Sequence, residues 1–147
     1  MNKDITYISF DFDGTLHQSE KLQNFVSELI QNKYHFGITT RRTNIYPNNK
    51  QFNDVFPSSQ VMKFCQKYGI EHVNFLHLER KADFFKRLLS NNNESCIIVH
   101  IDDDESEVSE ISNLNNDESL FLNNKKVFCF HISEWIEFVN FVRNIGE

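Results

Sequence analysis

The sequence predicts an α/β fold, a doubly wound five-stranded parallel sheet with helices on both faces. Two observations carry this. Five short apolar runs rich in β-branched and aromatic residues alternate with segments of helical periodicity. Within each run the apolar residues are nearly continuous, as expected of strands covered on both faces, which belong to parallel sheets. The chain has 147 residues, enough for one domain, 1–147, with a core of ordinary size.

The expected strands are Ile5–Phe12, Tyr34–Thr39, His72–Leu78, Cys96–Ile101 and Val127–Ile132. Leu22, Phe25, Val26, Leu29 and Ile30 repeat at the three-and-four spacing of one buried helix face. Val61, Phe64, Cys65 and Tyr68 do the same between Pro57-Ser58-Ser59 and Gly69. Further helices are expected from about Lys81 to Leu89 and from Ser106 to Leu114. A last one is expected after Ser133 as N-cap, carrying Trp135, Ile136, Phe138, Val139 and Val142. Arg42–Phe56, with Pro47, and the Asn-rich Asn115–Lys126 read as surface loops. Bringing strands one, two and four together at a switch point requires the Rossmann-like order 3-2-1-4-5.

Composition narrows the function classes. A net charge of −6 argues against a broad nucleic-acid-binding surface, though not against a local basic mouth. Cys65, Cys96 and Cys129 form no close pair and have no metal-ligand spacing, so a reduced, buried set is expected. His17, His35, His72, His77, His100 and His131 share no zinc-site spacing and read as strand or surface histidines, with His17 near enough to the first motif to reach a substrate. No long apolar run follows Met1-Asn2-Lys3-Asp4, so neither a signal peptide nor a membrane partner is expected, and the expected location is the cytoplasm.

Chemistry concentrates at strand ends. Ile8-Ser9-Phe10-Asp11-Phe12-Asp13-Gly14-Thr15-Leu16 ends a buried strand in two carboxylates one residue apart, followed by a glycine that permits a sharp turn. Carboxylates at such a place are costly unless a cation or proton compensates them. After the fourth run come Asp102-Asp103-Asp104-Glu105, four adjacent acids that repel each other unless a cation gathers them. Oxygen-only ligands are what Mg²⁺ prefers. Asp104 and Glu105 suit the start of the next helix. The second run ends in Gly37-Ile38-Thr39-Thr40-Arg41-Arg42, where a hydroxyl can donate to a phosphoryl oxygen. Lys81 opens a helix, a place mildly unfavourable to a cation, which hints at another task.

The string DFDGTL closely resembles the first signature of the haloacid dehalogenase (HAD) superfamily, and the other segments resemble its remaining three in order. The resemblance implies that Asp11 is a nucleophile forming an aspartyl-phosphate, and Asp13 a general acid/base whose backbone carbonyl helps hold Mg²⁺. An Asp at the second place is similar to the phosphatases of the family rather than its ATPases. It further implies a phosphate-binding hydroxyl at Thr39 or Thr40, Thr39 being preferred because Thr-X-Arg resembles TGR-like endings that bring Arg41 near the substrate. Lys81 takes the charge-neutralising third place, with Arg80 and Lys86 as neighbours open to confusion. Asp102 becomes the direct metal ligand and Asp103 the second acid of the pair.

The segments between signatures have no room for a cap domain, so an open mouth and a bulky phosphorylated substrate are expected. The function so implied is Mg²⁺-dependent phosphomonoester hydrolysis. Two other functions compete. A nucleic-acid-end or nucleotide phosphatase needs basic residues at the mouth, for which Arg41, Arg42, Lys50 and Lys63 are candidates against an unfavourable net charge. A non-catalytic binding module on this fold would ordinarily lack Asp11 or Asp102, and both are present.

Overall fold

A computed structural model describes residues 5–42, 57–92 and 94–144. All five expected strands form: β1 Tyr7–Phe10, β2 Phe36–Thr40, β3 Val73–Phe75, β4 Cys96–Asp102 and β5 Lys125–His131. Every pairing is parallel and the order is β3-β2-β1-β4-β5. Among the described residues six α-helices accompany them: α1 Glu20–Gln31, α2 Pro57–Tyr68, α3 Lys81–Ser90, α4 Glu105–Ser112, α5 Glu118–Phe121 and α6 Trp135–Asn144.

Alternation along each strand divides the core in two. Ile8, Phe10, Phe36, Ile38, Val99 and Ile101 face α1, α2 and α6, where Leu22, Phe25, Phe64 and Phe138 cover them. Tyr7, Cys96, Ile98 and Val127 face α3, α4 and α5, under Phe85, Leu89, Ile111 and Leu120. The same period of two carries Ser9 and Asp11 towards the α3 side. Asp11 N donates to Ile101 O at 3.0 Å, which sets the end of β1 beside the end of β4.

The helix boundaries have local causes. Ser19 caps α1 by accepting from Leu22 N, and Asp104 caps α4 by accepting from Ser106 N and Glu107 N. Gly69, at φ 77°, ends α2 in the left-handed conformation. Gly37 meets a different demand. A Cβ there would lie 2.5 Å from both His72 O and the Tyr7 hydroxyl, so only glycine admits the close approach of β3 and the Tyr7 ring.

Several boundaries differ from expectation. β1 stops at Phe10, because the chain then enters a wide turn in which Leu16 N bonds Asp11 O and His17 N bonds Phe12 O. β3 is confined to three residues, since the chain reverses at His77 (φ 57°) and Glu79 N bonds Leu76 O. The last helical segment is capped by His131 rather than Ser133: the imidazole Nδ1 accepts from Ser133 N, while Glu134 returns a bond to His131 N. The Asn-rich stretch is not a plain loop. It contains a 3₁₀ turn and α5, and Asn115 pairs through its side-chain amide with both backbone groups of Val127, satisfying the edge of β5. That strand begins at Lys125, in register with Cys96. Most of the Arg42–Phe56 loop, including Pro47 and Lys50, lies outside the described residues. Among the described residues no helix is long and apolar enough to cross a membrane.

Gly37→Ala is expected to cost about 1–3 kcal/mol, the usual penalty of forcing a methyl group into a filled site. Urea unfolding checks this; an unchanged midpoint would mean that β2 and β3 are not packed as closely as described.

Candidate metal centre and active site

The C-terminal ends of β1 and β4, the start of α3 and the first turn of α4 enclose one acidic cleft. It is lined by Asp11, Asp13, Gly14, Gln18, Arg41, Lys81, Asp102, Asp103, Asp104 and Glu107. Such a place, where the chain leaves the central strand for opposite sides of the sheet, is where open α/β sheets bind ligands.

Lys81 sits at its base. Its ammonium donates to Asp11 Oδ1 at 2.7 Å and to Asp102 Oδ2 at 2.6 Å, and all three side chains are buried. One positive charge therefore serves two carboxylates. Asp102 is held by two further donors, His100 Nε2 on Oδ2 at 2.9 Å and Asp104 N on Oδ1 at 3.1 Å. The other Asp11 oxygen accepts from Thr15 Oγ1 at 2.9 Å. Asp103 completes the group: ligand oxygens of Asp11, Asp102 and Asp103 all lie within 4.8 Å of one another. Its carboxylate packs over Gly14, whose φ is 73° and at which a Cβ would stand 2.1 Å from Asp103 Oδ2. Glycine at 14 thus serves both the turn and the placement of Asp103.

The carboxylates of the cleft differ in how well they are compensated. Burial pushes the Lys81 pKa down, but the two carboxylates outweigh it and the ammonium stays charged. Burial also pushes Asp102 up, and the donors from His100 and Lys81 overcome that and hold it well below the usual carboxylate range. Asp11 has fewer compensations. Burial raises it, Lys81 pulls it down, the Asp102 charge pushes it up again, and the result is about 8. Glu107 is raised as well, mainly by burial. Its Oε1 pairs with Arg41 at 3.3 Å, whereas its buried Oε2 has no hydrogen-bond partner. Three clustered carboxylates, a raised Asp11 and an orphaned acceptor fit a hard cation with oxygen ligands. The acidic triad can hold a metal ion.

The expected site residues divide into those gathered at the triad, those on the cleft wall, Asp13 and Arg41, and those turned from the cleft. Asp11, Lys81, Asp102 and Asp103 come together. The Asp13 carboxylate stands apart from the triad and is gripped by Arg42, with Nε on Oδ2 at 2.8 Å and Nη2 on Oδ1. That hydrogen bond outweighs partial burial and lowers the Asp13 pKa. Arg41 reaches the cleft, but Thr39 and Thr40 do not line it. The Thr39 hydroxyl is fully buried against Ser9 Oγ at 2.6 Å, and Thr40 Oγ1 accepts from Arg42 N. His17 lies in a neighbouring groove beside Gln60. Two residues escaped the reading of the sequence. Glu107 falls in an acidic helix start where it resembles any capping acid, and His100 looks like a strand filler. Spacing offered one signal: His100 and Asp102 are two apart on a strand and so share a face.

No protein-family model matches the chain, and no curated protein matches it. Fold and cleft by themselves define a class: a doubly wound α/β protein whose central strands end in an acidic triad able to hold a metal ion.

A pH dependence follows from Asp11. Its folded-state pKa, about 8, lies above its ordinary value of 3.8, so the folded protein binds a proton that the unfolded chain releases. In metal-free protein this contribution to stability is fully present below pH 3.8 and is lost as the pH rises through about 8. A cation competes with that proton. The gain in melting temperature on adding a divalent cation is therefore expected to be larger at pH 8 than at pH 6. Equal gains at the two pH values would contradict the assignment of the proton to Asp11.

Proposed function

We propose that this chain is a Mg²⁺-dependent phosphohydrolase of the haloacid dehalogenase type, which cleaves a phosphomonoester through an aspartyl-phosphate on Asp11. The observation that carries the reading is the Lys81 ammonium bridging Asp11 and Asp102. It supports the reading because Asp11 as nucleophile and Asp102 as metal ligand would share that positive charge at the point where a phosphoryl group needs both. Mg²⁺ bound by Asp11, Asp102 and Asp103, with the Asp13 carbonyl, would neutralise charge on the phosphoryl oxygens and favour ionised Asp11.

The chain's own groups perform the rest. An Asp11 carboxylate oxygen attacks phosphorus in line, the bond to the leaving oxygen breaks, and that oxygen takes a proton from Asp13. Water then attacks phosphorus in the acyl phosphate and gives its proton to Asp13. The bond to Asp11 breaks, inorganic phosphate leaves, and the Asp11 carboxylate is restored. Lys81 and Thr15 hold Asp11 by one oxygen each and so limit its rotation. Arg42 sets a condition on the first step, because its grip keeps Asp13 ionised. A phosphate dianion competes for the same guanidinium, and the carboxylate so released can take up the proton it must donate. Arg41, exposed at the mouth, supplies a further cation for the substrate.

Substrates larger than a metabolite fit the reading, since no cap stands over the cleft among the described residues. Asp11→Asn is expected to abolish Mg²⁺-dependent phosphate release from p-nitrophenyl phosphate. Asp13→Asn should reduce turnover by about 10²–10⁴-fold, the usual worth of a general acid or base. The loss should be smaller for p-nitrophenyl phosphate, whose leaving group needs little protonation, than for an alkyl phosphate. Full activity in Asp11→Asn would refute the covalent route.

A further inference from the structure

Below the acidic triad, on the α3 side of the sheet, lies a line of buried polar side chains that no step above uses. Thr39 Oγ1 and Ser9 Oγ are 2.6 Å apart, Ser9 Oγ and His100 Nδ1 2.8 Å, and His100 Nε2 and Asp102 Oδ2 2.9 Å. All four residues are buried, at 1% exposure or less. At the far end the Tyr7 hydroxyl, which hydrogen-bonds Thr39, accepts from Asn74 Nδ2 at 3.1 Å. Polar groups are expensive in such a place unless each finds a partner. Here each does, and the line ends on a carboxylate of the triad.

The directions of these bonds follow from one fixed end. Asp102 takes the Lys81 ammonium on Oδ2 and Asp104 N on Oδ1, so it acts as an acceptor and His100 Nε2 carries the hydrogen that points at it. The ring is fully buried beside a hydroxyl rather than a second carboxylate, so with the hydrogen on Nε2 its Nδ1 is left as an acceptor. Ser9 therefore donates to Nδ1, and Thr39 donates to Ser9. Every donor from β2 across β1 to β4 is aimed towards Asp102, and the Phe85 ring packs against the imidazole at a centroid distance of 5.0 Å. The Thr39 hydroxyl is thereby committed to the line.

We infer that His100 is a positioning residue, which holds the Asp102 carboxylate in the one rotation that presents its remaining lone pair, on Oδ1, to a cation in the cleft. Lys81 alone cannot fix that rotation, because its ammonium is shared with Asp11. Asp104 N fixes Oδ1 and His100 fixes Oδ2, so the carboxylate plane is held from both sides. Ser9 and Thr39 lock the imidazole in the tautomer this requires. Ligands oriented by a second layer of hydrogen bonds bind metal more tightly, typically by 10–100-fold.

The inference rests on the cleft being a cation site, and the test separates the two. Mg²⁺ is titrated calorimetrically into the full chain, and the Mg²⁺ concentration that half-activates p-nitrophenyl phosphate hydrolysis is measured alongside. In His100→Phe, which fills the ring's space without its N–H, the dissociation constant and half-activating concentration are expected to rise about 10–100-fold. Turnover at saturating Mg²⁺ should stay within about threefold of wild type, since His100 touches no reacting atom. His100→Gln, which can restore a donor to Asp102, should recover most of the affinity. A merely structural role would lower the melting temperature without this split. Folded His100→Phe with wild-type Mg²⁺ affinity would overturn the inference. Should that variant fail to fold, Ser9→Ala carries the same test by unlocking the imidazole, with a smaller loss of affinity expected and no loss contradicting it. Asp102→Asn is the control. If it loses Mg²⁺ while His100→Phe does not, only the role of His100 fails; if it binds Mg²⁺ normally, the cation site fails and the inference with it.

Discussion

The ammonium of Lys81, shared between Asp11 and Asp102, is the interaction on which the cleft depends. It joins the ends of two adjacent strands to the first residue of a helix on one face of the sheet. A cation at a helix start opposes the helix dipole, and burying it costs more. Both costs are tolerable only because two carboxylates meet it at hydrogen-bond distance. The same contact gives two carboxylates a single ammonium and leaves Asp11 with a raised pKa, about 8, in a triad able to hold a metal ion.

The parallel sheet makes that contact possible. Period-two alternation puts Ser9 and Asp11 on the same face of β1 as His100 and Asp102 on β4, and the register sets Ser9 beside His100. One apolar layer, built on Phe10, Phe36, Ile38 and Phe138, closes the opposite face. The result is a sheet that is dry on one side and, near its centre, polar on the other. The polar line begins at half-buried Asn74 and runs through buried Thr39, Ser9 and His100 to the triad.

Much of this was legible in the sequence. Apolar runs located all five strands, and the need for a switch point gave their order. Asp11, Lys81, Asp102 and Asp103 stood out because charges at the ends of apolar strands, or at a helix start, need a reason to be there. What could not be read is what side chains do across the fold. Thr39 was expected to face phosphate, but a strand-end hydroxyl says nothing about Ser9 waiting on the next strand. His100 and Glu107 have bland local contexts, and only the tertiary arrangement shows that one donates to Asp102 and the other carries an orphaned oxygen. His131 as a cap and Asn115 as a substitute strand neighbour are similar cases, in which a side chain imitates a group the sequence rules assign to others. Strand ends shifted by up to three residues, because turns and pairing register, rather than hydrophobicity, decide where a strand stops.

The central claim is that a divalent cation supplies the charge missing between Asp11, Asp102 and Asp103. Crystals grown with Mn²⁺ in place of Mg²⁺ test it most directly, through anomalous scattering at the manganese edge. The account requires a single strong anomalous peak within about 2.0–2.6 Å of oxygens of Asp11 and Asp102, the range of hard-cation coordination. A fully loaded crystal with no peak in the cleft, and the Lys81 bridge unaltered, would contradict it.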